Sequence, residues 1–337
     1  MMLRGPLNNL NIIQPGAFFK ADPKTGVVND PTASGFPLQD YYPLQNYTGM
    51  TLVGHGSYSN YNAVILTWQK QTGRVTFTGN YTFSKVLGIR DGQTDNGNGA
   101  GNTLNPYDMR SNYGVLNFDH THIFNAAYIV NLPSPEKNNK LLGGVVNGWV
   151  LSGITQLQSG APIQGNTNGN LNVSYGCVNH TDASGTTTCV GYTAQNQLGT
   201  NYGGIGLVPR LVCDPRSGLS SGQYFNPSCF APPTPGQNGD VIWPYIHGPA
   251  FFNSDLAIYK RFNFKEHQRV ELRFSAFNFL NHPLPQFNAP NGNADVSLNF
   301  NNSSGGLSQT NQNALTNGRP QFTVGRRVIE FTAKFNF

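Results

Sequence analysis

The chain has 337 residues, enough for two average domains or one large all-β unit. Charged residues make up only 11% of it, whereas ordinary globular proteins have roughly 25%. No apolar run approaches the roughly 18 residues of a transmembrane helix, which excludes a helical membrane protein. The net charge of +5 comes from scattered Lys and Arg residues, so the sequence predicts no nucleic-acid site.

The beginning of the chain is predicted to be a loop-rich N-terminal part covering residues 1–57. Pro, Gly, Asn and Asp recur there every few positions, with one short strand expected near residues 50–53. Residues 1–6 lack the apolar segment of a signal peptide. If the protein is exported, we therefore expect this sequence to be an incomplete piece or to have a misassigned start.

Residues 58–337 are predicted to form a series of β-strands. Each strand alternates apolar and polar residues, as expected when successive side chains point to opposite faces. The clearest case has Val75, Phe77, Tyr81 and Phe83 on one face and Thr and Asn residues on the other. The seven predicted strands cover about residues 59–71, 74–87, 120–132, 147–159, 251–264, 269–281 and 322–337.

The last predicted strand ends the sequence on an aromatic residue. Its apolar face carries Ile329, Phe331, Ala333, Phe335 and Phe337, and Lys334 is among the residues of its polar face. Bacterial outer-membrane barrels commonly end in this way, and their assembly machinery reads the terminal Phe. We therefore identify Phe331, Phe335 and Phe337 as a candidate outer-membrane assembly signal, with strand 269–281 as the expected neighbour.

The connections between the strands alternate in length. Long loops at residues 88–118, 161–250 and 282–321 alternate with shorter turns, as in membrane barrels with short turns on one side. The predicted strands are about 10–14 residues long. This length matches a tilted membrane crossing better than it matches the roughly 5–6 residues of strands in globular proteins. The sequence therefore predicts an all-β, antiparallel transmembrane β-barrel segment with long extracellular loops and a periplasmic C-terminus. Lys85 and Lys260 on the apolar faces lie near strand ends, where they can snorkel.

The four cysteines are Cys177, Cys189, Cys213 and Cys229, all in the long loop 161–250. None of them form a C-x-x-C spacing. We favour two local disulfides, Cys177–Cys189 and Cys213–Cys229, over a zinc site. Such disulfides would indicate an oxidising compartment.

Several stretches of the chain, taken together in their order and spacing, resemble a known family. They are 59–63, 80–85, 119–124, 147–154, 158–162, 277–283 and 325–327, which read SNYNA, NYTFSK, DHTHIF, NGWVLSGI, QSGAP, FNFLNHP and GRR. Over residues 59–337 this set resembles the barrel of TonB-dependent outer-membrane receptors of the Oar-like group. The resemblance implies a transporter that takes up a scarce or large nutrient, powered by TonB and the inner-membrane proton gradient.

The resemblance also implies parts that this sequence lacks. Such receptors have a TonB box, a plug domain and a barrel of about 22 strands. Seven strands cannot close such a barrel, and open edges are not tolerated in lipid. We therefore expect the C-terminal part of a receptor, or a truncated gene product. Its expected partners are outer-membrane lipid, the barrel-assembly machinery and an unknown nutrient ligand, with TonB acting only through the missing plug and TonB box.

Short motifs that suggest catalysis or metal binding have simpler interpretations. Residues 119–122 resemble a metal motif, but only His120 and His122 share a side, and a strand entry at the outer rim explains them. Residues 91–97 lack the spaced acidic ligands of an EF-hand. Residues 54–57 lack the G-x-S-x-G frame of a nucleophile elbow. We therefore predict no enzyme, no cofactor and no metal site.

The aromatic residues divide into two groups. We expect the strand aromatics to face lipid or form an interfacial girdle; these are Trp68, Tyr128, Trp149 and Phe274. The loop aromatics could contact substrate or simply pack within their loops; these are Tyr202, Tyr224, Trp243 and Tyr245. The alternative to a transporter is a secreted all-β adhesion or carbohydrate-binding protein, and membrane fractionation separates these two hypotheses.

Deletion of Phe337 from the complete receptor is expected to reduce barrel assembly severalfold, because the assembly machinery reads the terminal aromatic residue. Immunoblots of outer-membrane fractions measure this level, with Asn336→Ser on the polar face as the control. Unchanged levels after the deletion would contradict the assembly-signal role.

Overall fold

The structure is a computed structural model. It describes residues 2–337 except 4–7, 10, 32, 34, 53–56, 90–109, 111–112, 117, 164–170, 176, 182–183, 192–196, 202–208, 235, 238, 240–245, 266–267, 288–295, 304–305, 310–317 and 321. Among the helices that it describes, none is long and apolar enough to cross a membrane.

Seven long strands dominate the fold. They are Ser57–Lys70 (β1), Val75–Ile89 (β2), His122–Asn131 (β3), Trp149–Gln158 (β4), Phe251–Lys265 (β5), Gln268–Phe277 (β6) and Val328–Asn336 (β7). Each pairs antiparallel with the next, so their order in space follows the chain. Two short strands complete this nine-stranded sheet, Met2–Leu3 beside β1 and Tyr113–Val115 beside β2. The seven predicted strands and the pairing of the last two are confirmed.

Side chains of like character form rows across the sheet. An apolar row crosses five strands on one face, and a row of hydroxyl and amide side chains crosses the same strands on the other. The apolar row is Leu66, Tyr81, Phe124, Leu157 and Phe252, and the polar row is Thr67, Asn80, Asn125, Gln156 and Asn253. Each strand therefore contributes one apolar and one polar face, as the alternation predicted.

The apolar face of the sheet is exposed rather than buried. Trp68 exposes 49% of its surface, Phe274 46% and Phe331 67%. In water such a surface would be costly, at about 25 cal/mol for each Å² of apolar area. This face has the character of a lipid-facing surface.

The shorter elements lie in the connections. The helices are Leu38–Tyr41 (α1) and Lys140–Val146 (α2), with 3-10 turns at Ala17–Phe19 and Pro227–Cys229. The short strand pairs are Asn8–Asn9 with Thr51–Leu52, Pro162–Ile163 with Ile246–His247, Cys177–Thr181 with Thr187–Gly191, Arg210–Leu211 with Phe230–Ala231, and Leu284–Gln286 with Phe322–Val324. A three-stranded sheet joins Leu171–Tyr175, Val296–Ser303 and Gly306–Gln309. The long loop 161–250 therefore contains short paired strands that were not predicted from the sequence.

The N-terminal part packs against the longest loop. Ile13, Phe18, Tyr41 and Tyr42 form a buried apolar cluster. Phe18 N donates to Gly199 O at 3.0 Å, and Ile13 N donates to the side-chain oxygen of Asn201 at 3.2 Å. These contacts join segments nearly two hundred residues apart. A buried apolar core therefore lies among the connections, outside the sheet.

The sixth strand ends at Phe277, four residues earlier than predicted. Asn278 has a φ of 46°, a left-handed conformation that does not continue a strand. Its side-chain oxygen accepts from His282 N at 2.9 Å, and its amide nitrogen donates to His282 O at 3.0 Å and to Gly325 O.

The last strand is interrupted at Gly325, so that β7 begins only at Val328. Gly325 has a φ of 89°, which favours glycine, and its carbonyl accepts from Asn278. The single strand predicted over residues 322–337 is therefore two strands. The same contact connects two of the stretches that carry the family resemblance.

Cys213 and Cys229 are joined by a disulfide, with their Cα atoms 4.8 Å apart. Cys177 and Cys189 lie in two directly paired strands, where Asn179 is the partner of Cys189 and Gly191 that of Cys177. The side chains of Cys177 and Cys189 lie outside the described part of the structure, so their disulfide remains a prediction.

The cysteines are expected to resist alkylation by iodoacetamide until a reductant is added, because the observed Cys213–Cys229 bond and the predicted Cys177–Cys189 bond together leave no free thiol. Mass spectrometry of the protein unfolded in guanidinium, with and without reductant, counts the alkylated sites. Alkylation of Cys213 and Cys229 without reductant would contradict the observed bond. Alkylation of only Cys177 and Cys189 without reductant would contradict only the predicted bond.

Candidate functional site on the concave face

The polar face of the sheet encloses a groove of about 480 Å³. β2, β3, β4, β5 and β6 all contribute to it. Its lining includes the hydroxyl side chains of Thr76, Thr78, Ser152 and Ser275 and the apolar side chains of Ile129, Ile154 and Phe277. The sheet is therefore concave on its polar face, which is the face that would line the lumen of a barrel.

Asp255 and Arg273 are the charged residues of this groove. Asp255 Oδ1 accepts from Asn278 N at 2.8 Å and from the Asn253 amide at 3.0 Å. The turn after β6 thus holds this carboxylate in place.

Four side chains form a charged cluster on the same face of β5 and β6. Glu271 accepts from Arg261 Nε at 2.7 Å and from an NH₂ nitrogen of Arg273 at 3.2 Å. The guanidinium carbons lie 5.3 Å (Arg261) and 4.6 Å (Arg273) from the centre of the Tyr259 ring, within cation–π range. One carboxylate is thus shared by two guanidinium groups, and a positive charge remains in excess.

Further cations lie on this face at the short-turn end. In the strand register, Lys334 is opposite Glu271, and Glu330 is opposite Ser275. Arg269 precedes Glu271 by two residues on the same face of β6. The end of the face near the short turns therefore carries more positive charge than the end near the long loops. A guanidinium fork placed there can bind a carboxylate or phosphate group bidentately. This cluster was not predicted from the sequence, although the opposite charges on the polar faces of two adjacent strands could have indicated it.

A second group of polar residues lies at the long-loop end of the sheet. Asp119 is fully buried, and its Oδ2 accepts from Lys85 Nζ at 2.7 Å. Its Oδ1 accepts from Val86 N at 2.7 Å. Lys85 is thus neutralised near the end of β2 by an ion pair with Asp119, which was not predicted from the sequence.

The two histidines of the Asp119–His122 segment have separate partners. His120 Nδ1 lies 2.7 Å from Ser159 O, and His122 Nδ1 lies 2.8 Å from the Tyr81 hydroxyl. Among the residues that the structure describes, no group of three or more His, Cys, Asp or Glu side chains is placed to hold a metal ion. The segment acts as the entry of β3, which begins at His122.

His247 lies close to this rim. Its Nδ1 is buried and has no hydrogen-bond partner in the described structure. Burial lowers the pKa of His247; the charge of Lys85 lowers it further, Asp119 opposes the effect and His120 adds to it. A pocket of about 310 Å³ adjoins His120 between residues 159–162, 248–251 and 284–287.

Of the candidate loop contacts, only Tyr224 lies in the described structure. Its ring packs edge-on against Phe287 at 5.7 Å, and Phe225 and Phe230 pack beside them. This arrangement corresponds to the loop-packing interpretation. Tyr202, Trp243 and Tyr245 lie outside the described residues.

The terminal aromatic residues lie on the lipid-facing side. Phe331 is opposite Phe274 and Phe335 is opposite Val270 in the register of β6 and β7. Phe337 is 92% exposed, with its ring 5.9 Å from that of Phe335. These rings are therefore accessible to a protein that binds along the edge of β7, as the predicted assembly signal requires.

These features define a membrane-embedded β-barrel protein: long antiparallel strands in chain order, an exposed apolar face and a concave polar face. Residues 5–328 match the family model described as an outer membrane beta barrel domain, so the chain belongs to this family and is located in the bacterial outer membrane. The predicted fold class and location are confirmed. Comparisons with curated proteins and with solved structures find no match.

Asp119→Asn is expected to lower the free energy of unfolding by about 2 kcal/mol, because it leaves the Lys85 ammonium without its buried counter-charge. The midpoint of guanidinium unfolding in detergent, followed by tryptophan fluorescence, measures the change. Asp214→Asn is the control, since its ion pair with Arg216 is exposed and contributes little. Equal midpoint shifts in both variants would contradict the buried role of Asp119.

Proposed function

We propose that the chain forms barrel strands of a TonB-dependent outer-membrane receptor of the Oar-like group. The receptor would take up a scarce or large nutrient by energy-coupled transport. Coupling to TonB would pass through a plug domain and a TonB box. The resemblance covers only the barrel part of such receptors. The protein would act as a transporter and not as an enzyme, with the barrel-assembly machinery and lipid as its further partners.

The concave polar face is the observation that carries this proposal. It presents hydroxyl groups, apolar patches and a fixed carboxylate around one groove, with guanidinium groups at the short-turn end. Such a surface suits a hydrated lumen through which a solute of mixed polarity passes. A few positioned polar groups among apolar ones are typical of ligand sites.

The contacts between the resembling stretches support the same proposal. Asn278 binds Gly325, and Asp119 binds Lys85, so four of the stretches meet in two structural contacts. The stretches therefore act as parts of one architecture, which favours a resemblance of the whole barrel over chance similarity of short segments.

The alternative, a secreted adhesion or carbohydrate-binding protein, is disfavoured by the family membership. The exposed apolar face of the sheet also argues against it, because a soluble sandwich buries that face.

Uptake measured in cells tests the proposal. Cells with and without the gene are given labelled ferric citrate, cyanocobalamin or maltoheptaose, each with and without a protonophore. We expect gene-dependent accumulation of at least one probe, reduced about tenfold or more by the protonophore, since transport depends on the proton gradient. Gene-dependent uptake that ignores the protonophore would indicate a passive pore, and no gene-dependent uptake would also contradict the proposal.

Arg273→Gln is expected to lower uptake of the same probe severalfold at an unchanged outer-membrane level, because Arg273 lines the groove. Arg74→Gln, in the turn between β1 and β2, is the matched control and should leave uptake unchanged. Equal uptake by the two variants would remove the groove from the transport path.

A further inference from the structure

Helix α2 presents its apolar side chains outward. Leu141, Leu142, Val145 and Val146 are exposed to 86%, 50%, 64% and 41%. At 100° per residue these four positions share one side of the helix. A helix of a soluble protein turns such a side toward the protein, so α2 has the opposite arrangement.

The other side of α2 faces its own turn. A Cβ atom on Gly143 would lie 3.1 Å from the Asn147 amide and 3.4 Å from Glu136 O. The Asn139 side chain caps the helix by accepting from Leu141 N at 3.0 Å and Leu142 N at 3.1 Å. The helix is therefore held in a defined orientation that keeps its apolar side exposed.

Two side chains attach α2 to the lipid-facing side of the sheet. Lys260 is only 4% exposed, and its Nζ donates to Val145 O at 2.9 Å and to Gly144 O. Trp149 Nε1 donates to the same Val145 O at 2.9 Å. Lys260 and Trp149 are register partners in the apolar rows of β5 and β4. The helix thus continues the apolar surface of the sheet at its short-turn end.

The charges around α2 are mainly positive. Glu136 accepts from Asn138 N at 2.7 Å and Asn139 N at 2.9 Å, and these hydrogen bonds lower the pKa of its carboxyl. The Glu136 carboxylate is thus bound by backbone N–H groups of the turn that precedes α2. Lys137 precedes the helix by three residues and Lys140 is its first residue, and basic residues that flank an apolar helix favour anionic lipid headgroups.

We propose that α2 is an interfacial anchor that inserts its Leu and Val side chains into the periplasmic leaflet of the outer membrane. Lys137 and Lys140 lie at the level of anionic phospholipid phosphates. The continuity with Trp149 and Lys260 selects lipid over a second protein chain as the occupant, because both residues already belong to the lipid-facing surface.

Spin labels on the full chain test this anchor in vesicles of phosphatidylethanolamine and phosphatidylglycerol at about 3:1. Leu141→Cys and Val145→Cys carry the label in turn, with Gln71→Cys in the β1–β2 turn as the matched site on the same side of the membrane. The unsubstituted chain, treated identically, gives the background from its own cysteines. Heat-modifiable migration in gels shows that each variant has folded.

The measured quantity is the ratio of spin relaxation by oxygen to spin relaxation by a water-soluble nickel chelate. We expect this ratio to be at least threefold higher for the labels at positions 141 and 145 than for the label at position 71. The labels should also move toward water when phosphatidylcholine replaces phosphatidylglycerol. Greater access of the nickel chelate at both helix positions would overturn the anchor, and strong dipolar coupling between labels at position 141 would overturn it in favour of a second copy. Depth unaffected by phosphatidylglycerol would overturn the role of the two lysines.

Discussion

The backbone hydrogen bonds of the long strands are the constraint on which the rest of the structure depends. Lipid offers no partner for an N–H or C=O group, so each strand must bond to its neighbours along its length. The meander from β1 to β7 meets this requirement along the six edges that neighbouring strands share, by antiparallel pairing of each strand with the next. Because the strands are fixed in this way, side-chain parity alone assigns each residue to lipid or to the concave face.

Charge follows this assignment, and the exceptions show how a charge near lipid is accommodated. Arg261, Glu271 and Arg273 lie on the concave face, where water and counter-charges are available. Lys85 and Lys260 lie on the apolar parity, and each is bound at a strand end, by Asp119 or by the carbonyls of α2. Lys70, opposite Phe77 next to the β1–β2 turn, is a third lysine of that parity.

The strands and their faces could be predicted from the sequence because a period of two is a local property that lipid and lumen impose on every strand. Most strand ends lie within two residues of the prediction, but the end of β6 and the start of β7 do not. β6 stops at Phe277 because Asn278 binds Gly325, which is 47 residues away. The same holds for the loop strands, for α2 and for the cluster around Tyr259, since all depend on contacts between segments that are distant in sequence. Residue type alone does not distinguish a loop aromatic that contacts a ligand from one that packs within its loop, and Tyr224 packs against Phe287.

The parallel pairing of Leu171–Tyr175 with Val296–Ser303 has a consequence for how the outer surface can move. The first segment belongs to the loop between β4 and β5, and the second to the loop between β6 and β7. A backbone ladder between them removes conformational freedom from both loops together, much as a cross-link would. Neither loop can swing outward alone without breaking that ladder, so the two loops move as one mechanical unit.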